Sequence, residues 1–327
     1  MKRKQFVIVA AGALFLLGFA SLGAFAQDYP AKPIRAIVPY SAGGGTDLVG
    51  RLVFQKLGEA LGQPIYVENK VGGSGTIGLG ELARSKPDGY TIGIGGNGVS
   101  LLGALIDGLK FNPATDLVPV ATLASVPIAL VAGPGLPVKS MREFIDYAKK
   151  NKATALTYGS PGVGTPHHLM GVELARVLKI PMVHVPYKGT APAMSDVVGG
   201  HIPIAIVGLP GAMQFTKNPL FTILGVASAR RSELAPEIPT IAEGGVPGFE
   251  ASYWWDISVP KGTPQPIIDR LHKEVVKILS DPGVRDSLLK GGFEPMVMSL
   301  QEMNAALKVD TAKWIKVIRD NNIRAGE

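Results

Sequence analysis

Four glycine-rich turns are the segments of this sequence whose residue types are best suited to bind a ligand. They are rich in Gly, Ser and Thr and occupy residues 40–47, 72–78, 159–167 and 186–192. Each follows an apolar run of strand type and precedes a helical pattern. A helix N-terminus has backbone N–H groups without intrahelical partners, and glycine lets a ligand approach the backbone closely. Such turns bind anions, although a bare connection between a strand and a helix has the same composition.

Nucleotide-binding motifs are incomplete in this chain. G-x-G-x-x-G runs occur at 73–78 and 93–98. The dinucleotide fingerprint belongs in the first strand–helix unit and needs an acidic residue about 20 positions later. Here the first run lies in the second unit, and Gly95-Gly96-Asn97 stands where the acid is needed. No Walker lysine follows the three glycines at 43–45, so we expect no nucleotide cofactor.

The residues that could carry catalysis are sparse. His167 and His168 are adjacent in the sequence, so on a helix they do not converge on a metal, and the chain has no cysteine. Ser160 does not lie in a G-x-S-x-G elbow. A set of Ser160, His167 and an Asp could still form in space. An exported serine hydrolase is therefore an alternative to a binding protein.

A strand–helix rhythm indicates how these turns are positioned. Short apolar strands alternate with helical patterns, which predicts an α/β fold with parallel sheets. The β-rich stretches 118–132 and 250–260 indicate passages between two domains. We predict lobe one from residues 27–125 plus 240–327 and lobe two from residues 126–239. Each lobe then contributes two of the turns to the crevice at the carboxyl ends of its strands, as in a clamp for an anion.

The N-terminus predicts export. Residues 1–26 combine a basic start, an apolar run and an Ala-x-Ala site, which is typical of a secretory signal peptide cleaved near Ala26. An uncleaved membrane anchor is the alternative. Cleavage removes Lys2, Arg3 and Lys4, so the formal net charge falls from +7 to +4. This mild excess without a basic block argues against nucleic acid as a partner. We expect a soluble periplasmic protein.

The sequence resembles the Bug family, the periplasmic receptors of tripartite tricarboxylate transporters, over essentially the whole mature chain. The resemblance rests on the order of several short stretches. They are Val38-Pro39-Tyr40 with Gly43-Gly44 and Thr46-Asp47, Val67 to Lys70, Pro87 to Tyr90, Tyr158 to Leu169, His184 to Gly189, Ile238 to Gly248 and Val259 to Pro264.

The resemblance implies a two-lobed Venus-flytrap fold and a function without chemistry. A small organic carboxylate would be held by backbone amides and ordered waters from both lobes and delivered to the membrane permease subunits. A monomer without cofactor is expected. A ligand-sensing receptor for a membrane sensor kinase is a further alternative. The chain departs from the family pattern at 71–76 and at Asp256, and both departures could reshape the far end of the bound ligand.

The predicted ligand-binding residues come from the four turns. They are Tyr40, Ser41, Gly43, Gly44, Thr46, Asp47, Gly73, Ser74, Ser160, Gly162, Thr165, His167, Tyr187, Lys188, Gly189 and Thr190. Asp47 has two interpretations, because a carboxylate at a helix start could cap the helix or contact an ammonium or hydroxyl of the ligand. Lys188 is the only Lys or Arg in the four turns, so backbone N–H groups should hold most of the ligand's charge.

Overall fold

Two sheets that share one strand form the frame of the protein. The computed structural model describes residues 29–325, so the predicted signal peptide lies outside the described residues. Within that range, none of the helices has the length and apolar character that crossing a bilayer requires. The strands are β1 (Ile34–Val38), β2 (Ile65–Asn69), β3 (Thr91–Ile94), β4 (Leu117–Ala132), β5 (Leu156–Ser160), β6 (Met182–Pro186), β7 (Ile204–Gly208), β8 (Thr222–Val226), β9 (Ser252–Pro260) and β10 (Glu294–Pro295).

Helices connect most of these strands. They are α1 (Gly45–Leu61), α2 (Thr76–Ala83), α3 (Leu102–Leu105), α4 (Met141–Lys150), α5 (Pro166–Leu178), α6 (Thr190–Val198), α7 (Leu209–Met213), α8 (Gln265–Ser280), α9 (Pro282–Lys290) and α10 (Leu300–Asp320), with short 3-10 turns at Gly73–Gly75 and Val99–Leu101. Serine side chains cap the starts of α4 and α10, because Ser140 and Ser299 each accept a hydrogen bond from the backbone N–H three residues later.

Strand β4 belongs to both sheets. Its first part, Leu117 to Pro127, pairs antiparallel with β9, which continues to the parallel strands β3, β1 and β2. Its last part, Ile128 to Ala132, pairs antiparallel with β7 and β8, and β7 continues to the parallel strands β5 and β6. The long apolar stretch that predicted a passage between domains is therefore one 16-residue strand that crosses from the first sheet to the second.

Both sheets are covered on two faces. Alternate residues of β7 point to opposite sides, so Ile204 and Ile206 join one apolar core while Ala205 and Val207 join another. In the first sheet, Ile34 of β1 packs in the core with α1 and α8. Covered parallel strands are typical of α/β proteins. The predicted α/β, two-lobed class is confirmed by this arrangement together with the structural comparisons given below.

The lobe boundaries of the sequence analysis stay a prediction. Residues 241–251 and the end of α10 were assigned to lobe one. Apolar side chains from both segments, such as Phe249, Trp314 and Ile318, pack in the core around α4 and α5. Helix α10 begins at Leu300, which packs against the core of the first sheet. This helix therefore spans the two halves of the molecule.

Candidate functional site

Asp47 stabilises the turn at residues 40–47, here called the first turn. Its buried carboxylate accepts hydrogen bonds from the Gly43 N–H (2.9 Å), Arg51 Nε (2.9 Å) and Asn69 Nδ2 (2.8 Å). Asn69 also donates to the Tyr40 carbonyl (3.0 Å). Burial raises the pKa of the Asp47 carboxyl, but the hydrogen bonds from Arg51, Gly43 and Asn69 outweigh it and hold the pKa below its ordinary value. The carboxylate is thus ionised and tied to both sides of the turn.

Asp47 is not the N-cap residue of α1, whereas its contact with an ammonium or hydroxyl of the ligand stays a prediction. The N-cap residue of α1 is Gly44, which has extended backbone and no side-chain bond to the helix. Asp47 is the third residue of α1 and reaches back to Gly43, whose φ of +78° is a left-handed conformation that favours glycine. Its carboxylate oxygens already have three donors. Asp47 therefore stabilises the turn that presents the helix start.

The N-terminus of α1 has backbone N–H groups that are free to donate hydrogen bonds. The first intrahelical bond runs from the Leu48 N–H to the Gly44 carbonyl (2.9 Å). The N–H groups of Gly45, Thr46 and Asp47 precede it and have no partner in the helix ladder. The Thr46 hydroxyl accepts a hydrogen bond from Trp255 Nε1 (2.8 Å), which fixes the helix start to β9. An anion placed here would also experience the positive end of the helix dipole.

The turn at residues 159–167, here called the second turn, joins β5 to α5 and is held by hydrogen bonds within itself. Thr165 caps α5 by accepting from the His168 N–H, and its hydroxyl donates to the Gly162 carbonyl (2.7 Å). The Gly162 N–H donates to Ser160 Oγ, and the Gly164 N–H donates to His168 Nδ1. Two of the N–H groups predicted to hold the ligand are therefore used inside the turn. The second turn has fewer free donors than the first.

A cavity of about 380 Å³, here called the cleft cavity, lies between the two turns. Five predicted residues line it, namely Tyr40, Thr46, Ser74, Thr165 and His167. The sequence analysis missed the other lining residues, which are Gly98, Leu102, Leu105, Pro161, Val163, Gly164, Pro166, Tyr253 and Ala325. Residues from both sheets thus enclose one space.

The remaining predicted residues lie outside the lining of the cleft cavity. Ser41, Gly43 and Gly44 belong to the first turn but are exposed, and Asp47 and Ser160 are buried. The others are Gly73, Gly162, Tyr187, Lys188, Gly189 and Thr190. The Tyr187 hydroxyl donates to Asp196 Oδ2 (2.6 Å), and burial together with this bond raises the tyrosine's pKa to about 12. These assignments as ligand-binding residues stay predictions.

The cleft cavity has no basic side chain among its described lining residues. Its one imidazole, that of His167, is neutral near pH 7, because burial lowers the pKa of His167 to about 4. Its Nδ1 is buried without a hydrogen-bond partner in the described part of the chain. Tyr253 and Tyr40 also lie in the wall, and burial raises the pKa of both phenols. The polar groups facing a ligand are therefore uncharged.

Ser160 has a histidine partner, but a different one from that suggested by the sequence. Ser160 Oγ lies 2.7 Å from His184 Nε2, and the His184 ring stacks on His168 with centroids 3.8 Å apart. Ser160 is completely buried. Burial lowers the pKa of both histidines to about 4. A buried serine that braces its own turn is not accessible to a substrate, so this geometry does not support the set of Ser160 and His167 proposed for a hydrolase.

Three consecutive residues of β9 are buried. Trp254 and Trp255 are 1% and 4% exposed, so they pack in the interior and do not form a platform for a ligand. Asp256 was expected to shape the far end of the ligand. It does not line the cleft cavity; it lies in a separate cavity under α10. Successive residues of a strand point to opposite faces of the sheet, which explains why Asp256 does not line the cleft cavity; its effect on the far end of the ligand stays a prediction.

Known proteins similar to this chain match most of its length. The model of the family described as "Tripartite tricarboxylate transporter family receptor" matches residues 49–323. Protein BugT of Bordetella pertussis is 31% identical, over 91% of this chain and 92% of BugT. Two solved structures are Rpa4515 of R. palustris with adipate (33% identity, TM-score 0.75, 91% and 99% coverage) and MatC of Rhodopseudomonas palustris with bound malate (29% identity, TM-score 0.70, 89% and 100% coverage).

Proposed function

Because this chain belongs to the family of tripartite tricarboxylate transporter receptors, we propose that it captures a small organic carboxylate in the cleft cavity and delivers it to the permease subunits of such a transporter. The family consists of periplasmic solute-binding receptors and not of enzymes. The bound adipate and malate of two similar structures support a carboxylate as the ligand class. Export would involve removal of residues 1–26, and the receptor would act as a monomer without nucleic acid.

One observation carries the proposal. The start of α1 and the start of α5 face one cavity from opposite sides, and no Lys or Arg lines that cavity in the described part of the chain. A carboxylate there would accept hydrogen bonds from the start of α1, where Thr46 lines the cavity, and from side-chain hydroxyls. Hydrogen bonds to a charged group contribute about 1.5–3 kcal/mol each. Two or three such bonds suffice for micromolar affinity, about 8 kcal/mol, once apolar contacts are added.

The apolar part of the wall indicates where the ligand's carbon atoms lie. Leu102, Leu105 and Val163 stand beside the polar turns in the same cavity. Removing their surface from water adds about 25 cal/mol for each Å² buried. A carboxylate with a short carbon chain would place its charge on the helix starts and its chain on this wall.

A matched pair of glycine substitutions tests the site. A Cβ at Gly98 would have the Tyr253 ring 4.0 Å away as its nearest neighbour, so Gly98→Leu would project into the cleft cavity without backbone strain. A Cβ at Gly103 would meet nothing within 4 Å, and Gly103 does not line the cavity. Isothermal titration with adipate and malate should show binding to the wild type, with at least about tenfold weaker binding by Gly98→Leu and an unchanged affinity for Gly103→Leu.

Two results would contradict the proposal. The ligand class is wrong if a thermal-shift screen of mono-, di- and tricarboxylates leaves the wild-type melting temperature unchanged, because a ligand of the folded state must raise it. The site is wrong if Gly98→Leu binds a carboxylate as tightly as Gly103→Leu does.

A further inference from the structure

A second cavity lies on the side of β9 that faces helix α10. It has a volume of about 400 Å³ and shares no lining residue with the cleft cavity. Trp255, Ile257 and Val259 point from β9 into the core with α1 and α8. Asp256 and Ser258 alternate with them, so they face α10 instead and both line the second cavity. The cavity thus has a carboxylate and a hydroxyl side by side in its floor.

Asp256 is buried without a cation. It is 3% exposed, and its Oδ1 accepts a hydrogen bond from Ser258 Oγ (2.7 Å). In the described part of the chain, no Lys, Arg or His forms an ion pair with it, and Lys308, which also lines the cavity, is exposed on α10. A buried carboxylate loses its hydration, and this cost is recovered only when hydrogen-bond donors or a cation replace the water. Ser258 supplies one donor, so most of the carboxylate's acceptor capacity is unused.

The other lining residues of the second cavity restrict which cation could pair with Asp256. Val99, Leu117 and Leu307 make one side apolar, while Ser100 and Thr311 are hydrogen-bonded to each other (2.7 Å). The described residues contain no group of three or more His, Cys, Asp or Glu that could hold a metal ion. A hydrated metal would also leave the apolar side uncovered. A cation with N–H donors and a short hydrocarbon chain matches both parts of the wall.

We propose that the second cavity binds a short primary alkylammonium ion, with its ammonium group on Asp256 and Ser258 and its chain against the apolar side. The ammonium has three N–H donors, which match the free acceptor sites of the carboxylate. The charge-assisted bond fixes the orientation, and burial of the chain adds affinity. The second cavity shares no lining residue with the cleft cavity, so this ammonium site is distinct from the proposed carboxylate site.

Titration with n-butylammonium chloride tests the proposal, with sodium chloride at the same ionic strength as the blank and n-butanol as the uncharged probe. The variant is Asp256→Asn, which keeps the shape and removes the charge. The matched control is Asp310→Asn, because Asp310 is a partly buried carboxylate on α10 that bonds to Asn97 and does not line the cavity. We expect the wild type and Asp310→Asn to bind n-butylammonium equally, Asp256→Asn to bind it at least about tenfold more weakly, and n-butanol not to bind.

A second variant covers the case in which Asp256→Asn does not fold. Leu307→Trp would fill the cavity from α10, whose residue 307 is only partly buried, and should abolish binding of n-butylammonium. Circular dichroism and carboxylate titration of the same samples report folding and the cleft cavity separately. The proposal is overturned if the wild type does not bind n-butylammonium, or if Asp256→Asn and Leu307→Trp bind it as the wild type does.

Discussion

Replacing Asp47 by Asn should separate a ligand contact from a support of the turn. The carboxylate has donors on both of its oxygens, with Gly43 N–H on Oδ2, Asn69 Nδ2 on Oδ1 and Arg51 Nε near both. An amide in its place has one oxygen and one NH₂ group. Whichever way the amide turns, its NH₂ group faces another donor, so at least one buried hydrogen bond is lost and one donor is left unpaired.

The structure gives the size of the effect. A lost hydrogen bond to a charged group costs about 1.5–3 kcal/mol, and an unsatisfied buried donor adds to it, so Asp47→Asn should destabilise the protein by about 2–4 kcal/mol. Arg51 contributes less, because its side chain is 49% exposed and solvent screens the pair. Arg51→Ala should therefore cost less than about 1 kcal/mol. Since the pKa of Asp47 is lowered on folding, its contribution is present above the ordinary pKa of 3.8 and is lost as the pH falls below that value.

Urea unfolding and calorimetric titration of the two variants provide the assay. The loosened turn should also weaken carboxylate binding by Asp47→Asn about tenfold, because the free N–H groups of the first turn are no longer held in place. Arg51→Ala serves as the control, because it removes one charge from the same ion pair and leaves the Asp47 carboxylate in place. The reasoning fails if the urea midpoint of Asp47→Asn equals that of the wild type while carboxylate binding is lost, since Asp47 would then contact the ligand directly.

Two further predictions concern charged side chains outside the first turn. Burial raises the pKa of Asp256 from 3.8 to about 6, so the folded state binds the proton more tightly than the unfolded state does. The free energy of unfolding therefore falls by about 3 kcal/mol as the pH rises between these two values. Asp256→Asn should remove this pH-dependent loss of stability. Urea unfolding at about pH 4 and about pH 8 checks this, and a wild-type difference equal to the variant's would refute it. Lys188 is exposed and does not line the cleft cavity, so Lys188→Ala should weaken carboxylate binding less than about tenfold in a calorimetric titration, whereas complete loss would show that a side-chain charge holds the anion.

Features with a local signal were predictable from the sequence. The start of α5 has such a signal, because Thr165 caps the helix and a proline occupies its first position. The glycine-rich turn after β1 is followed by α1 at Gly45. Such signals depend on neighbouring residues, so one sequence suffices to recognise them.

Features that depend on distant residues were not predictable. The partner of Ser160 is His184, which lies on the next strand, and no spacing rule distinguishes it from His167. Tyr253 and Ala325 reach the cleft cavity only because β9 and the chain end return to it. The place of Asp256 depends on which face of β9 is covered by α10. Strand alternation predicts that Asp256 points to the same face of β9 as Trp254 and Ser258, but it does not predict which helix covers that face.

The shared strand β4 makes the two halves of the molecule one cooperative unit. Strand β4 pairs with β9 in the first sheet and with β7 and β8 in the second. If one sheet unfolded alone, the part of β4 that remains in the other sheet would lose the support of its own continuation. The unfolding of one half is therefore coupled to that of the other through β4. We therefore expect a ligand bound in the cleft cavity to slow hydrogen exchange at backbone amides of both sheets, including those far from the cavity.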